Sequence, residues 1–103
     1  MSTGILGSSA PSANTNTTVY TVPVGKNAVF NINVVNSGAY SALVNVAIAA
    51  SGTPSASEYI EYQTLLEPNA VLERTGIVAQ AGKNVVVNAS TATTDVNVYG
   101  YEE

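Results

Sequence analysis

Residues 25–36 read GKNAVFNINVVN, and the order of side chains in this stretch predicts the fold class. Phe30, Ile32 and Val34 are separated from one another by single asparagines. An apolar residue at every second position is the pattern of a half-buried β-strand. The glycine before it suits a turn, because glycine adopts positive φ angles that other residues disfavour. The stretch therefore predicts a tight turn that leads into an amphipathic strand.

Nearly the same stretch returns at residues 82–88 as GKNVVVN. A phosphate-binding loop would read GxxxxGK[ST] and open a helix. Here GKN precedes a strand pattern, and no glycine lies five residues before Gly25 or Gly82. The repeat therefore predicts two equivalent corners of a β-structure, each feeding a strand of alternating apolar residues.

The rest of the chain repeats this organisation of short strands between turns. Stretches rich in β-branched and aromatic residues alternate with Pro, Gly, Asn and Ser turns, at residues 17–22, 42–49, 58–64, 70–80, 83–90 and 94–103. Strands at a spacing of about ten residues are typical of sandwiches and barrels. We predict an all-β domain over residues 17–103, an antiparallel β-sandwich of seven or eight strands. Immunoglobulin-like and jelly-roll topologies both remain open.

Residues 1–16, MSTGILGSSAPSANTN, have the composition of a linker. We therefore expect a flexible, extended N-terminal arm ahead of the sandwich. Ile5 and Leu6 are two large apolar residues within this polar segment. They are candidate anchors that order the arm on a neighbouring molecule.

Composition excludes several classes of partner. Only 10% of the 103 residues are charged, the net charge is −4, and the cations are Lys26, Arg74 and Lys83 alone. Three scattered cations are too few to neutralise a nucleic-acid backbone or to hold an anionic membrane. The longest apolar stretch, at 41–50, is half the length of a membrane span. We expect no nucleic-acid partner, no membrane partner and no secretion signal.

The residue types that usually carry catalysis are also missing. The chain has no Cys and no His, which removes thiolate chemistry, the usual general base and the commonest metal ligand. Glu58 and Glu61 are expected to be solvated surface charges, and a single Asp, Asp95, makes no calcium loop. We predict no catalytic residue, no cofactor and no metal site, and hence no enzyme.

The six tyrosines are the remaining candidates for function. Tyrosine is enriched at protein interfaces because it combines a large apolar ring with a polar tip. Ordinary packing across the sheets and carbohydrate binding are the alternatives. The candidate interface residues are therefore Ile5, Leu6, Tyr20, Tyr40, Tyr59, Tyr62, Tyr99 and Tyr101.

Three stretches carry a family resemblance: VYTVPVGKNAVFNINVVN (19–36), SEYIEYQTLLEPNAVLERTGIVAQAGKNVVV (57–87) and VNVYGYEE (96–103). Together they resemble a small β-sandwich module of tailed-bacteriophage virion proteins, of the kind seen in cyanophages. The resemblance covers roughly residues 18–103. It carries no catalytic residues.

The resemblance implies a virion structural protein. A sandwich with an N-terminal arm is similar to capsid decoration (cement) proteins, which bind the outer head lattice and stabilise it. The implied partners are the phage major capsid protein and further copies of the chain, as in trimers at three-fold sites. The implied location is the outer capsid surface of the virion, after synthesis in the host cytoplasm. The alternative is a tail, neck or fibre component that binds tail proteins or a host surface glycan.

Overall fold

The computed structural model describes residues 3–103, which form two four-stranded antiparallel sheets packed face to face. This confirms the predicted all-β sandwich and gives it eight strands. The strands are β1 Thr3–Ser9, β2 Thr17–Thr21, β3 Asn27–Asn36, β4 Ala42–Ala49, β5 Tyr59–Leu66, β6 Val71–Gln80, β7 Asn84–Ala89 and β8 Thr94–Glu102, and a 3-10 helix, Ala56–Glu58, precedes β5.

The strand order identifies the topology. One sheet has the order β1-β8-β3-β6, here called sheet A, and the other has the order β2-β7-β4-β5, here called sheet B. Each strand of the first half of the chain pairs with its counterpart in the second half: β1 with β8, β2 with β7, β3 with β6 and β4 with β5. This is one long antiparallel hairpin folded over on itself, which is a jelly roll.

The repeated GKN stretch forms two turns of the same kind, at residues 23–26 and 80–83. In each turn the lysine N–H donates to the carbonyl three residues earlier, at 3.1 and 3.3 Å. Gly25 has a φ of 78° and Gly82 a φ of 85°. A positive φ at the third position is what a type II turn requires. The sequence prediction of two equivalent corners is confirmed.

The two corners lie side by side. The Val22 N–H donates to the Lys83 carbonyl at 2.9 Å, and the Gly82 N–H donates to the Val22 carbonyl at 2.9 Å. Both halves of the folded hairpin thus cross between the sheets at this point, one from sheet B to sheet A and the other in reverse. The stretch occurs twice because both halves make the same crossing.

The edges of both sheets are irregular, whereas their centres are regular. The edge strands β1, β2, β5 and β6 each carry a register shift against their neighbour, and the central pairs β3–β8 and β4–β7 carry none. Bulges at an edge interrupt the row of free N–H and C=O groups that a second chain would pair with. The bulges therefore oppose uncontrolled edge-to-edge association.

The core lies between the two sheets and is built mainly from valines, as the alternation of the strands predicts. Phe30, Ile32 and Val34 are buried on the inner face of β3, and Asn31 and Asn33 face outward. The inner faces of β4, β7 and β8 add further small apolar residues, namely Ala42, Val44, Val46, Val85, Val87, Ala89, Val96 and Val98. These residues form one continuous cluster across both sheets.

Asn36 is the last residue of β3, and its buried side chain joins three connections between strands. Its Nδ2 donates to the carbonyls of Tyr40 at 2.8 Å and Leu66 at 3.0 Å. Its Oδ1 accepts from the Gly38 N–H at 3.0 Å and the Thr93 hydroxyl at 2.9 Å. One side chain thus makes hydrogen bonds with groups in the β3–β4 connection, at the end of β5 and in the β7–β8 connection.

The N-terminal segment differs from the prediction. Residues 3–9 form the edge strand β1, which pairs with β8 from Thr3 opposite Tyr101 to Ser9 opposite Val96. A Cβ at Gly7 would lie 2.3 Å from the Val19 carbonyl oxygen, so β1 also passes very close to β2. The prediction of a flexible arm is therefore wrong for residues 3–9, because β8 offers an edge that a glycine-rich strand can pair with. Residues 1 and 2 lie outside the described residues.

Replacing Gly25 or Gly82 with alanine should destabilise the domain by about 1–2 kcal/mol each, the cost of a left-handed backbone for a residue with a Cβ. Neither new Cβ meets an atom within 4 Å, so the cost is one of backbone conformation alone. Gly52→Ala is the matched control, because its Cβ would make an ordinary 3.6 Å contact with Thr18 Oγ1. The urea midpoints of the three variants provide the test. Equal midpoints for all three would contradict the assignment of type II turns at Gly25 and Gly82.

Asn36→Ala should cost about 3 kcal/mol of unfolding free energy, because it leaves several buried polar groups without partners. Asn33→Ala on the same strand faces outward and should change the stability by less than about 0.5 kcal/mol. The urea midpoints of the two variants provide the test. A loss at Asn36 no larger than that at Asn33 would mean that the hydrogen-bonded junction contributes little.

Candidate binding surfaces

The outer face of sheet A brings together several of the predicted interface residues. Ile5 on β1 lies opposite Tyr99 on β8, and Tyr101 lies opposite Val29 on β3. Val29 in turn lies opposite Val78 on the edge strand β6. We call this set, Ile5, Val29, Val78, Tyr99 and Tyr101, the tyrosine face.

The tyrosine face is apolar and exposed. Ile5 is 65% exposed, Val78 is 69% exposed and Tyr101 is 41% exposed. None of its five members is charged. Exposed apolar side chains that cluster, rather than occur singly, mark interaction surfaces. Tyrosine and other large side chains at such a surface are the residues that protein interfaces favour.

Tyr99 is held across this face by a hydrogen bond. Its hydroxyl donates to Glu73 Oε2 on β6 at 2.8 Å, so the ring spans the intervening strand β3. The bond to Glu73 raises the pKa of the Tyr99 hydroxyl, because the carboxylate favours the protonated phenol. The contact fixes the orientation of one of the two rings that the face presents.

Uncharged amides continue the outer face beyond the tyrosines. Asn33 lies between Asn97 on β8 and Glu73 on β6. Asn31 Oδ1 accepts a hydrogen bond from the Gly76 N–H at 3.0 Å, at the bulge of β6. The side chain thus satisfies a backbone group that the bulge removes from the strand pairing. This part of the face is polar, and its charged members are Glu73 on β6 and Asp95 on β8.

A second candidate surface is an open hollow at the β5 edge of sheet B. It has a volume of about 660 Å³ and is lined by Ala56, Tyr59 and Tyr62. The two tyrosine rings meet edge to face, with centroids 5.1 Å apart and planes at 69°. Such a pair is a favourable aromatic arrangement.

The sequence pattern places Tyr59 and Tyr62 on opposite faces of a strand, whereas the structure brings them together. The pairing of β5 with β4 shifts on both sides of Glu61, so that Tyr59 lies opposite Ala47 and Thr64 opposite Val44. Gln63 has a φ of 49° within the second shift. These bulges break the period of two, which is why alternation alone gives the wrong faces here.

Tyr59 at the start of β5 forms the floor of the hollow, and the loop before β5 forms its rim. Tyr59 packs on a small apolar cluster of Ala47, Ala49 and Val86. Glu58 anchors the loop, since its carboxylate accepts the Ala50 N–H at 3.0 Å and the Ser55 N–H at 2.9 Å. These backbone hydrogen bonds hold the pKa of Glu58 below its usual value.

The neighbouring carboxylate of Glu61 is also engaged. It accepts a hydrogen bond from the Thr64 hydroxyl at 2.7 Å and forms an ion pair with Arg74 on β6. The Thr64 hydrogen bond, and then Arg74, hold the pKa of Glu61 below its usual value. The pair links the two edge strands β5 and β6, one from each sheet. The expectation that Glu58 and Glu61 are only solvated charges therefore misses their local structural contacts.

Three other predicted interface residues lie elsewhere. Tyr40 is 80% exposed in the β3–β4 connection; it does not line the hollow and lies on no strand of the tyrosine face. Leu6 is the extra residue of the β1 bulge and packs against the core. Leu6 is thus part of the sandwich in this structure and not a free anchor.

Tyr20 is buried and serves the core. Its ring meets Phe30 edge to face at 5.9 Å, and its hydroxyl donates to Glu102 Oε2 at 2.6 Å. Burial, together with the Glu102 carboxylate, raises the pKa of Tyr20. The bond joins β2 of sheet B to β8 of sheet A, so Tyr20 does not belong to an external interface.

Sequence reasoning missed Val29, Val78 and Ala56 as surface residues. A signal for Val29 was present, because it is apolar at a position of β3 where alternation predicts an outward side chain. Val78 carried the same signal on β6. Ala56 offered none, because the hollow depends on how the loop folds beside β5.

Within residues 3–103, no three His, Cys, Asp or Glu side chains come together as ligands for a metal ion. No helix in this part of the chain has the length and apolar character needed to cross a membrane. No family model, curated protein or solved structure matches the chain.

The anchoring of the loop by Glu58 should depend on pH. Because the folded pKa of Glu58 is lowered, its contribution to loop order is complete above the ordinary glutamate pKa of about 4.3 and is lost as the pH falls through the folded value. The Ala50 and Ser55 amide resonances, followed by NMR during an acid titration, should report this loss. Glu58→Gln should abolish that titration step; an unchanged step in the variant would assign it to another group.

Proposed function

We propose that this protein is a bacteriophage virion structural protein, a capsid decoration protein that binds the outer head lattice and stabilises it. The proposal draws on the sequence resemblance over residues 18–103 and on the jelly-roll topology, which viral capsid domains use repeatedly. In this proposal the protein transforms no substrate and acts through adhesion.

The tyrosine face is the observation that carries the proposal. A specific interface covers about 800 Å² on each partner. The two longest dimensions of the domain, 41 and 27 Å, leave room for such a contact on one outer face. An uncharged centre with tyrosines, bordered by amides and the Glu73 carboxylate, has the composition of an interface core and rim. We assign the major capsid protein as the partner of this face.

The low charge of the chain fits the same role. With three cations among 103 residues, the domain has little electrostatic attraction for nucleic acid. A slab of rigid sheet also loses little conformational entropy when it docks, because its backbone is already ordered. Copies that each bridge neighbouring capsid subunits would then raise the temperature at which the head ruptures.

Val78→Asp and Tyr101→Asp should each weaken binding to isolated heads at least tenfold, because each puts a charge into the centre of the proposed contact. Leu65→Asp is the matched control, an exposed apolar residue on β5 of sheet B. All three positions are exposed, so the folded domain should remain intact by circular dichroism. Co-sedimentation with heads stripped of the protein measures the binding.

The functional consequence is checked on the same particles. Heads that are reloaded with the wild-type protein or the Leu65→Asp control should rupture at a higher temperature than stripped heads, and heads incubated with Tyr101→Asp should not. If Tyr101→Asp and Leu65→Asp protected the heads equally, the tyrosine face would not be the docking surface. If the wild-type protein protected no head at all, decoration itself would be wrong.

A further inference from the structure

We propose that the hollow formed by Ala56, Tyr59 and Tyr62 is a binding site for a neutral oligosaccharide. This inference does not depend on the proposed contact with the capsid, because the hollow belongs to sheet B and the tyrosine face to sheet A. A domain docked through one face would present the other face outward.

The two rings have different roles. Tyr59 is partly buried against Ala47, Ala49 and Val86 and forms the base of the site. Tyr62 is 64% exposed and stands against Tyr59 edge to face. Within residues 3–103 the hydroxyl of neither ring has a hydrogen-bond partner. The hollow thus offers two apolar ring surfaces, with phenol groups free to bind a polar ligand.

The size of the hollow suits a small ligand. Its volume of about 660 Å³ falls within the range of roughly 300–1,000 Å³ that small-molecule sites occupy. It is open on one side, so a chain-like ligand can enter and extend beyond it. The loop that forms its rim is held in place by the Glu58 hydrogen bonds, so the site exists before a ligand arrives.

The charges near the hollow favour a neutral ligand. Glu58 is occupied by two backbone N–H groups, and Glu61 by Thr64 and Arg74. Among residues 3–103, the lining of the hollow contains no charged side chain. Lys83 is close enough to interact electrostatically with Glu58 but does not line the hollow, so a ligand anion would meet no cation in the lining, and a ligand cation would meet carboxylates that already have partners.

A hexose meets these conditions. One face of a pyranose ring presents C–H groups that pack on an aromatic ring, and its hydroxyls hydrogen-bond with phenols and backbone groups. A purely apolar ligand would make no use of the two phenol hydroxyls, and a peptide that adds to the sheet as a further strand would need an open strand edge next to the site. The bulges of β5 interrupt such an edge.

The test uses the full chain and a panel of defined sugars: the neutral maltohexaose, cellohexaose, laminarihexaose and mannohexaose, and the acidic hexagalacturonate. Saturation-transfer NMR detects binding, and amide shifts locate it. We expect at least one neutral hexasaccharide to bind, with shifts at residues 56–62. Tyr62→Ala should weaken that binding at least tenfold, and Tyr62→Phe should weaken it less, because the ring is retained.

Tyr40→Ala is the matched control, an exposed tyrosine remote from the hollow, and it should bind as the wild type does. The inference is overturned if no neutral sugar binds, if only the acidic sugar binds, or if Tyr62→Ala leaves the affinity unchanged. Binding to stripped heads tests the capsid contact separately from the sugar site. Tyr62→Ala should still bind the heads, and Tyr101→Asp should still bind the sugar.

Discussion

The structure depends on the pairing of each strand in the first half of the chain with its counterpart in the second half. The nested pairs β1–β8, β2–β7, β3–β6 and β4–β5 make a single ribbon, and folding that ribbon over creates both sheets at once. The matched glycine corners follow from this constraint, because both halves of the ribbon must turn at the same place. So does the position of Asn36, where three connections meet around one buried amide. Contacts between residues far apart in sequence dominate such a fold, which predicts slow folding relative to a helical domain of equal length.

Much of this could be predicted from the sequence. Alternation in β3, β4 and β8 identified the inner residues, and the repeated GKN stretch identified two corners with positive φ. The choice between jelly-roll and immunoglobulin-like topology could not be made, because periodicity shows which face is buried but not which strand is the neighbour. The strand at residues 3–9 was missed for a similar reason: its glycines and serines give no strand signal, and only the edge of β8 makes it a strand.

The candidate sites were predicted in part. Tyrosine content pointed to an interface, and Tyr99 and Tyr101 do share an exposed face with Ile5. Alternation alone could not separate these residues from Tyr20, which faces inward and bonds to Glu102. The hollow at Tyr59 and Tyr62 depends on two register shifts beside Glu61, and bulges leave no periodic signal in a sequence. The two surfaces lie on different sheets, which allows one domain to hold a large partner on one side and a small ligand on the other.

In the proposed function the domain binds to a repeating protein lattice through one outer face. The most direct test is the number of copies of this chain per purified particle, measured by quantitative mass spectrometry against the major capsid protein. A decoration protein should be present in a number that scales with the capsid lattice, at a fixed ratio to the capsid subunits. A handful of copies per particle, as at a single vertex or a tail tip, would rule out this role.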